Sequence, residues 1–151
     1  MRISVKPGWK DGTKITFPCE GDEGVGIVPS DLIFIIREKP HCLLSRATNN
    51  NGSNLIFTAT LALVDALAGC YVRVPTLDGR VRILDCHDKV IGPGHEEVIA
   101  GEGMPLSNKK GGNFTAGSVD RGDLIVRFNV RFPKQLCKSS KDAMRAHLIE
   151  A

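Results

Sequence analysis

The stretch DLIFII, residues 31–36, returns later in the chain as DLIVRF, residues 123–128. Each copy follows a Glu-Gly pair, at residues 20–21 and 102–103, across a glycine-rich segment. A repeated order of turn, loop and apolar run indicates two related structural units in tandem. The repeat therefore predicts a chain built from two similar β-units.

The two copies differ in what precedes them. A Pro-Gly pair stands upstream of each copy, at residues 7–8 and 93–94. The second pair has a long lead-in, residues 54–91, whereas only a few residues precede the first pair. By that comparison we expect the chain to begin inside its first β-unit, which would then lack its leading strands.

Length and composition indicate a folded protein of one domain or two small ones. The 151 residues are 42% hydrophobic and 25% charged, with a net charge of +3, which provides enough apolar material for a core. The longest apolar run, residues 32–36, is far too short to span a bilayer, and nothing at the N-terminus resembles a signal peptide. The charge is too mild for the basic stripe of a nucleic-acid binder. We therefore expect neither a membrane nor a nucleic acid among the partners.

Cysteine usage points to reduced thiols. The five cysteines are Cys19, Cys42, Cys70, Cys86 and Cys137. Their number is odd and no two form a C-x-x-C pair, which argues against a disulfide framework and against a zinc ribbon. We therefore predict no metal and no cofactor. Thiols packed as small apolar groups fit a cytoplasmic protein.

Alternating apolar and polar residues predict a series of short strands. These strands are expected at residues 1–5, 14–17, 32–36, 55–61, 71–74, 81–84 and 124–132. The Asp-Gly pair at residues 78–79 predicts a tight hairpin, because glycine tolerates positive φ. Residues 32–36 are apolar throughout, which predicts a strand that is covered on both faces or lies in the centre of a sheet.

Two helices and one long loop complete the predicted elements. Residues 63–69 read as a short helix that stops at its final glycine. A second helix, capped by Ser139 or Ser140, is expected to run to about residue 149. Residues 108–122 hold four glycines among polar residues, and we expect them to form a long mobile loop.

Two clusters contain residue types that enzymes use. They are Cys86-His87-Asp88 and His95-Glu96-Glu97. Adjacent residues of a strand point to opposite faces, so Cys86 and His87 cannot readily act on one substrate atom. No nucleophile elbow, H-E-x-x-H helix or phosphate-binding glycine motif accompanies the clusters. We therefore predict a protein that is not an enzyme, with these residues serving as surface polar groups and one packed thiol.

The apolar β surface leaves two interpretations open. Residues 32–36, together with the face formed by Ile3 and Val5, carry more hydrophobicity than a small half-domain obviously buries. Most such residues end in a core. Alternatively, one or two of them line a groove that binds an extended apolar peptide, with a sheet edge adding main-chain hydrogen bonds.

Longer strings decide between these interpretations. They are VKPGWKDGTKITF at 5–17, PSDLIFII at 29–36, EKPH at 38–41, LVDALAG at 63–69, VPTLDGR at 74–80, GEGMP at 101–105 and RGDLIV at 121–126. In this order, over nearly the whole chain, they closely resemble the C-terminal region of type II DnaJ-like heat-shock co-chaperones.

The resemblance implies a mainly β fold with two tandem β-sandwich or barrel domains, the first truncated at its N-terminus, and a C-terminal dimerisation helix. The corresponding boundaries are residues 1–40 for the remainder of the first, client-binding domain, 41–133 for the second domain, and 134–151 for the helix. It also implies a homodimer that binds unfolded client polypeptides and passes them to a DnaK-type ATPase chaperone.

Site residues follow from the same resemblance. Phe34 matches a position that lines the client pocket, and Ile3 and Val5 lie on the strand expected beside it. Met144 and Leu148 lie on the helix that would pair two chains. No residue of the second domain is assigned to a site.

The sequence also departs from the family. It contains no J-domain with a His-Pro-Asp loop, no Gly/Phe-rich linker and no C-x-x-C-x-G-x-G zinc repeats. The absence of zinc repeats favours the type II class. The predicted function is therefore client binding as a dimeric co-chaperone. The alternative is a dimeric, non-catalytic scaffold that retains the fold without client binding.

Overall fold

The computed structural model describes residues 2–22, 24, 26, 28–48, 52–106 and 120–148. Within these residues the chain forms eight strands and two helices. They are β1 (Lys14–Phe17), β2 (Leu32–Ile35), β3 (Leu44–Arg46), β4 (Leu55–Ala62), α1 (Leu63–Ala68), β5 (Tyr71–Pro75), β6 (Val81–Asp85), β7 (Glu96–Ile99), β8 (Leu124–Arg131) and α2 (Lys138–Leu148). The prediction of a mainly β protein is confirmed.

The described strands form three sheets. β1 pairs with β2, β5 pairs with β6, and the remaining four follow the order β3-β4-β8-β7. The chain divides into two compact units, residues 1–57 with 98–125 and residues 58–97 with 126–151. Each unit joins segments that are distant in sequence, so the predicted domain boundaries after residues 40 and 133 stay predictions.

The four-stranded sheet carries the buried side chains of the second DLI copy. Along β8, Leu124 and Val126 are fully buried and Phe128 is 9% exposed. Their spacing of two residues puts them on one face of the strand. On β4, Leu55 and Ala59 are also buried. The second copy therefore lies in the core, where its apolar residues are removed from water.

The first copy lies in a very different sheet. β2 has one described partner strand, β1, and its residues alternate between half-buried and exposed. Ile33 and Ile35 are 54% and 51% exposed. The prediction of a strand covered on both faces or central in a sheet is therefore wrong. An uninterrupted apolar run does not reveal how many neighbours the strand has, and here the described neighbours cover only part of it.

The predicted strand at residues 1–5 does not form over its described part. Residues 2–5 lie outside every strand, and Val5 is 72% exposed. Alternation supplies the side-chain pattern of a strand, but the backbone needs a neighbour to accept its hydrogen bonds. No described strand pairs with residues 2–5.

Locally encoded elements agree with their predictions. The hairpin around Asp78 and Gly79 joins β5 to β6 in antiparallel register, with Val74 opposite Arg82. Helix α1 stops at Gly69, which has φ 83°. A side chain there would overlap the His87 carbonyl oxygen. Glycine is therefore required at this position both for its conformation and for space.

Helix α2 begins one residue before Ser139, so Ser139 and Ser140 lie inside the helix and the prediction that one of them caps it is wrong. It spans Lys138–Leu148, and residue 149 lies outside the described part of the chain. Of the predicted loop at 108–122, only residues 120–122 are described.

Candidate functional site

The β1–β2 ribbon presents a cluster of apolar side chains on one face. In its register Ile15 lies opposite Phe34, and Phe17 lies opposite Leu32. Because opposed residues of an antiparallel pair point to the same side, these four form one surface, which we call the aromatic face. All four are half-buried.

Two rings at the centre of the aromatic face contact each other edge to face. The ring centroids of Phe17 and Phe34 are 5.7 Å apart and the ring planes are inclined by 89°. This geometry suits the aromatic quadrupoles and is worth about 1 kcal/mol beyond the area that the rings bury. The contact orients Phe34 while leaving part of both rings accessible.

The opposite side of the ribbon is apolar along β2 alone. Ile33 and Ile35 are about half exposed there, and they lie opposite Thr16 and Lys14 of β1. Each strand also has a second edge that no described strand occupies. Such an edge offers backbone donors and acceptors to an added extended segment.

Hydrogen bonds hold the end of the ribbon at which β1 begins and β2 ends. The Ile36 amide donates to the Thr13 carbonyl and the Gly12 amide donates to the Ile36 carbonyl, both at 2.9 Å. The Glu38 amide donates to Asp11 Oδ1 at 2.9 Å. These bonds hold the end of the ribbon by its backbone.

The other end of the ribbon is closed in a similar way. The Gly21 amide donates to the Ser30 carbonyl at 2.8 Å, and the Cys19 amide donates to Asp31 Oδ1 at 3.2 Å. Hydrogen bonds thus hold the backbone at both ends of the ribbon.

The aromatic face has no side chain suited to proton transfer or nucleophilic attack. Its members are Ile, Leu and Phe, whose contacts with a ligand are apolar and non-directional. The arrangement can therefore bind an apolar segment, and it supplies no group for chemistry.

The predicted client-contact residues lie in different surroundings. Phe34 lies in the centre of the aromatic face, whereas Ile3 and Val5 lie outside any strand. Phe17 was missed by the sequence analysis. Alternation along residues 14–17, combined with antiparallel pairing to residues 32–35, is the signal that could have identified it. Binding roles for Phe34, Ile3 and Val5 stay predictions.

The predicted dimerisation residues differ in exposure. Met144 is half-buried and lines a pocket of about 440 Å³ together with Leu136, Phe132 and Leu63. Leu148 is 58% exposed. On the apolar stripe formed by Met144 and Leu148, Met144 thus lies against its own chain, whereas Leu148 is accessible to a second chain. Their role in dimerisation stays a prediction.

The sequence cluster around Cys86 is split by the fold. Cys86 is 1% exposed, and burial raises the pKa of its thiol. His87 is exposed, with its ring 5.1 Å from the Tyr71 ring. Burial of a protonated thiol away from the neighbouring imidazole does not produce an activated nucleophile.

The second cluster forms a small charge network. Lys89 Nζ donates to Glu97 Oε1, and this contact lowers the pKa of the Glu97 carboxyl. His95 Nε2 lies 3.3 Å from the same oxygen, and its ring lies 5.7 Å from that of Phe128. Across the described ranges, no three His, Cys, Asp or Glu side chains converge as metal ligands.

No helix in the described part of the chain has both the length and the apolar character needed to cross a membrane.

Fold and site together define a β-rich protein with a partly exposed apolar surface on a two-stranded ribbon. The family model described as the DnaJ C terminal domain matches residues 1–133, and the chain belongs to this family. The resemblance inferred from the strings at 5–17 and 121–126 is therefore confirmed.

Relatives named as DnaJ homologues match nearly the whole chain. The human DnaJ homolog subfamily B member 5 is 43% identical over 148 residues, which cover 98% of this chain and 39% of that protein. DnaJ protein homolog 1 of Drosophila melanogaster is 43% identical over 145 residues, covering 95% of this chain and 40% of that protein. Mitochondrial protein import protein MAS5 of Saccharomyces cerevisiae is 33% identical over 135 residues, covering 89% of this chain and 30% of that protein. The chain thus spans about two fifths of the length of the first two relatives.

Proposed function

We propose that this chain binds unfolded or misfolded polypeptides as part of a co-chaperone, acts as a homodimer and passes its clients to a DnaK-type ATPase chaperone. The proposal rests on the aromatic face, where Phe17 and Phe34 remain partly accessible. No described strand occupies the outer edges of this ribbon. The role is binding without catalysis. A cytoplasmic location belongs to the same proposal and is supported by five free cysteines.

The size of the aromatic face fits weak and reversible capture. Full burial of one Phe or Ile side chain contributes about 1.5–3 kcal/mol. The four residues of the face are already half-buried, so a ligand gains only part of this amount from each. Association and ordering of an unfolded segment cost several kcal/mol in the opposite direction. The balance favours short-lived complexes, which suits transfer of a client to a second chaperone.

Family membership supports the chaperone partner and the dimer. Relatives named as DnaJ homologues match over almost the whole of this chain. The partly exposed apolar stripe of α2, which ends with Leu148 at 58% exposure, supports pairing of two chains through this helix.

Light scattering of a diluted, chemically unfolded client tests the binding role. The wild-type chain should suppress aggregation, and Phe34→Ala should raise the concentration needed for half suppression about tenfold, because it removes most of the ring contact. Phe34→Leu keeps an apolar side chain and should lose much less.

The matched control is Ile83→Ser. Ile83 is 70% exposed on the other two-stranded sheet, β5–β6, so its substitution removes exposed apolar area elsewhere and should leave suppression unchanged. Equal losses in Ile83→Ser and Phe34→Ala would contradict a specific role for the aromatic face. A wild-type chain that folds and dimerises without suppressing aggregation would reject client binding.

Deletion of residues 139–151 tests the dimer. Sedimentation should show a dimer for the whole chain and a monomer for the shortened one, because the deletion removes Met144 and Leu148. A shortened chain that stays dimeric would place the contact outside α2.

The conformation of residues 2–5 favours the scaffold alternative. Residues 2–5 form no strand beside β2, so the wall expected from Ile3 and Val5 is not formed as a strand. A dimeric scaffold would then retain the fold and ignore clients. Normal sedimentation as a dimer, combined with no effect of the wild-type chain on aggregation, favours this alternative.

A further inference from the structure

Cys70 and Cys86 are brought together by the register of the β5–β6 hairpin. Tyr71 lies opposite Asp85 and Val72 lies opposite Leu84, so one further step of the same register places Cys70 opposite Cys86. The Cys86 amide donates to the Cys70 carbonyl at 3.0 Å. The pairing thus continues past the last named residues of both strands.

The Cα spacing of such a pair lies within the range of a disulfide, and the Cβ atoms must approach slightly for the bond to form. Opposed residues of the hydrogen-bonded type have Cα atoms about 5.5 Å apart and side chains on the same face. Disulfides form across Cα separations of roughly 4.4–6.8 Å. One backbone bond holds this terminal pair, which leaves the strand ends room to bring the two sulfurs together.

The two thiols differ in access. Cys86 is 1% exposed, whereas Cys70 is half-buried and can be reached from solvent. An electrostatic effect of Cys70 contributes to the raised pKa of Cys86, which is consistent with close thiols. An accessible first thiol and a protected second thiol form a suitable pair for stepwise oxidation.

Each cysteine lies close in sequence to a different part of the lining of an apolar pocket. Cys70 follows α1, whose Leu63 and Leu67 line a pocket of about 430 Å³, and Cys86 precedes residues 90–94, which line the same pocket. The Ile91 amide donates to the Ala66 carbonyl at 2.9 Å. A bond between the sulfurs would strengthen this existing link between helix and loop.

We propose that Cys70 and Cys86 are a redox pair that forms a reversible intramolecular disulfide when the chain meets a peroxide. This role lies beyond client binding and does not depend on it. In the first step the Cys70 thiolate sulfur attacks the O–O bond of hydrogen peroxide, giving a Cys70 sulfenic acid and hydroxide. In the second step the Cys86 sulfur attacks Cys70 Sγ, the S–O bond breaks, and the departing oxygen leaves as water with the Cys86 proton.

The overall reaction is balanced. Two thiols lose two electrons and two protons, one hydrogen peroxide is reduced, and two water molecules form. A dithiol reductant reverses the bond by thiol–disulfide exchange.

The electrostatic environment makes this pair slower than a surface thiol. Burial and the nearby Asp65 raise the pKa of the Cys70 thiol. By contrast, hydrogen bonds from the Ser139 and Ser140 hydroxyls lower the pKa of the exposed Cys137 to about 7. Below the Cys70 pKa, its thiolate fraction rises about tenfold per pH unit, and formation of the bond should accelerate in the same proportion.

Peptide mapping tests the pair in the whole chain. After treatment with hydrogen peroxide, the remaining thiols are alkylated under denaturing conditions and the chain is cut with trypsin. Trypsin cuts after Arg73, Arg80 and Arg82, so the two cysteines leave on separate peptides unless a disulfide joins them. The expected product is one joined peptide, two hydrogens lighter than the sum of its parts and separated by dithiothreitol.

Single substitutions identify the partners. Cys70→Ser and Cys86→Ser should each abolish the joined peptide, whereas Cys137→Ser should leave its yield unchanged. In the oxidised wild-type chain, hydrogen exchange at the Ile91 amide should slow relative to the reduced chain. Full alkylation of Cys70 and Cys86 after peroxide has consumed Cys137, at pH 7 and again at pH 9, would overturn the proposal. A joined peptide that links Cys70 to any other cysteine would also overturn it.

Discussion

The two DLI copies begin alike and reach opposite environments. In the first copy, Phe34 is half-buried on the two-stranded β1–β2 ribbon, and in the second copy the equivalent Val126 is fully buried in the four-stranded sheet. The residue two places earlier repeats the contrast, because Leu32 is half-buried and Leu124 is fully buried. The number of neighbouring strands, more than the apolar sequence itself, decides whether such a strand becomes core or surface.

Under the proposed function, this contrast assigns stability to one copy and binding to the other. A surface that binds apolar segments must leave apolar side chains partly exposed, which reduces what they contribute to folding. In the second copy Leu124, Val126 and Phe128 are buried, so these side chains contribute to stability and offer little to a ligand. Under the proposed function, closely similar sequences therefore serve binding in the first copy and stability in the second.

The largest effect should come from shortening the equivalent leucines. Leu124→Ala removes a fully buried side chain and should lower the free energy of unfolding by about 2–5 kcal/mol. Leu32→Ala removes a half-buried side chain and should cost less than about 2 kcal/mol. Urea unfolding of both variants measures the difference. Equal losses would contradict the claim that the two copies differ in burial.

Two glycines with positive φ differ in how closely other atoms approach them. Gly69 has φ 83°, and a side chain would overlap the His87 carbonyl, so Gly69→Ala should cost more than about 3 kcal/mol. Gly12, in the turn before β1, has φ 79° but nothing within 4 Å of an added Cβ. Gly12→Ala should cost about 1–2 kcal/mol. Thermal unfolding monitored by circular dichroism would rank them, and a reversed order would contradict the close approach at Gly69.

The smallest effects should come from the ion pairs near each copy. Glu97 has its pKa lowered, chiefly by its hydrogen bond from Lys89. Its folded value therefore lies below its unfolded value, so the stabilisation is present above about pH 4.5 and is lost as the pH falls through the folded pKa. Glu97→Gln should cost under about 1 kcal/mol at pH 7 and should flatten the acid side of the stability profile.

Arg37→Gln is the matched change near the first copy. Its contact with Asp11 is 3.6 Å long, and the two side chains are 80% and 51% exposed. The variant should alter stability by less than about 0.5 kcal/mol at any pH. Urea titrations between pH 3 and pH 7 test both variants. A larger acid-dependent change in Arg37→Gln than in Glu97→Gln would contradict this assignment.

Features that depend on neighbouring residues were predictable. The hairpin at Asp78 and Gly79 and the stop of α1 at Gly69 follow from residues a few positions apart, and both formed as expected. The strand at residues 14–17 was predicted with its observed bounds. Local backbone preferences are sufficient at these places because no distant partner has to be chosen.

Features that depend on distant partners were harder to predict. The alternation of residues 1–5 indicated a strand, yet residues 2–5 have no described strand beside them. Phe17 was not identified as a neighbour of Phe34, because their contact requires the register of two strands separated by a long loop. Side-chain exposure on residues 32–35 also depends on what the rest of the chain places over them.

The sequence by itself determined the family, the mainly β fold and the local turns, because these are carried by contiguous strings such as residues 5–17 and 121–126. Only the tertiary structure decided that Phe34 joins Phe17 on a partly exposed ribbon, that Val126 lies in the core, and that Cys70 faces Cys86. Each of these depends on strand register and on the number of neighbouring strands. The burial of a side chain depends on all the strands packed around it, so a run of apolar residues does not by itself determine which of them are buried.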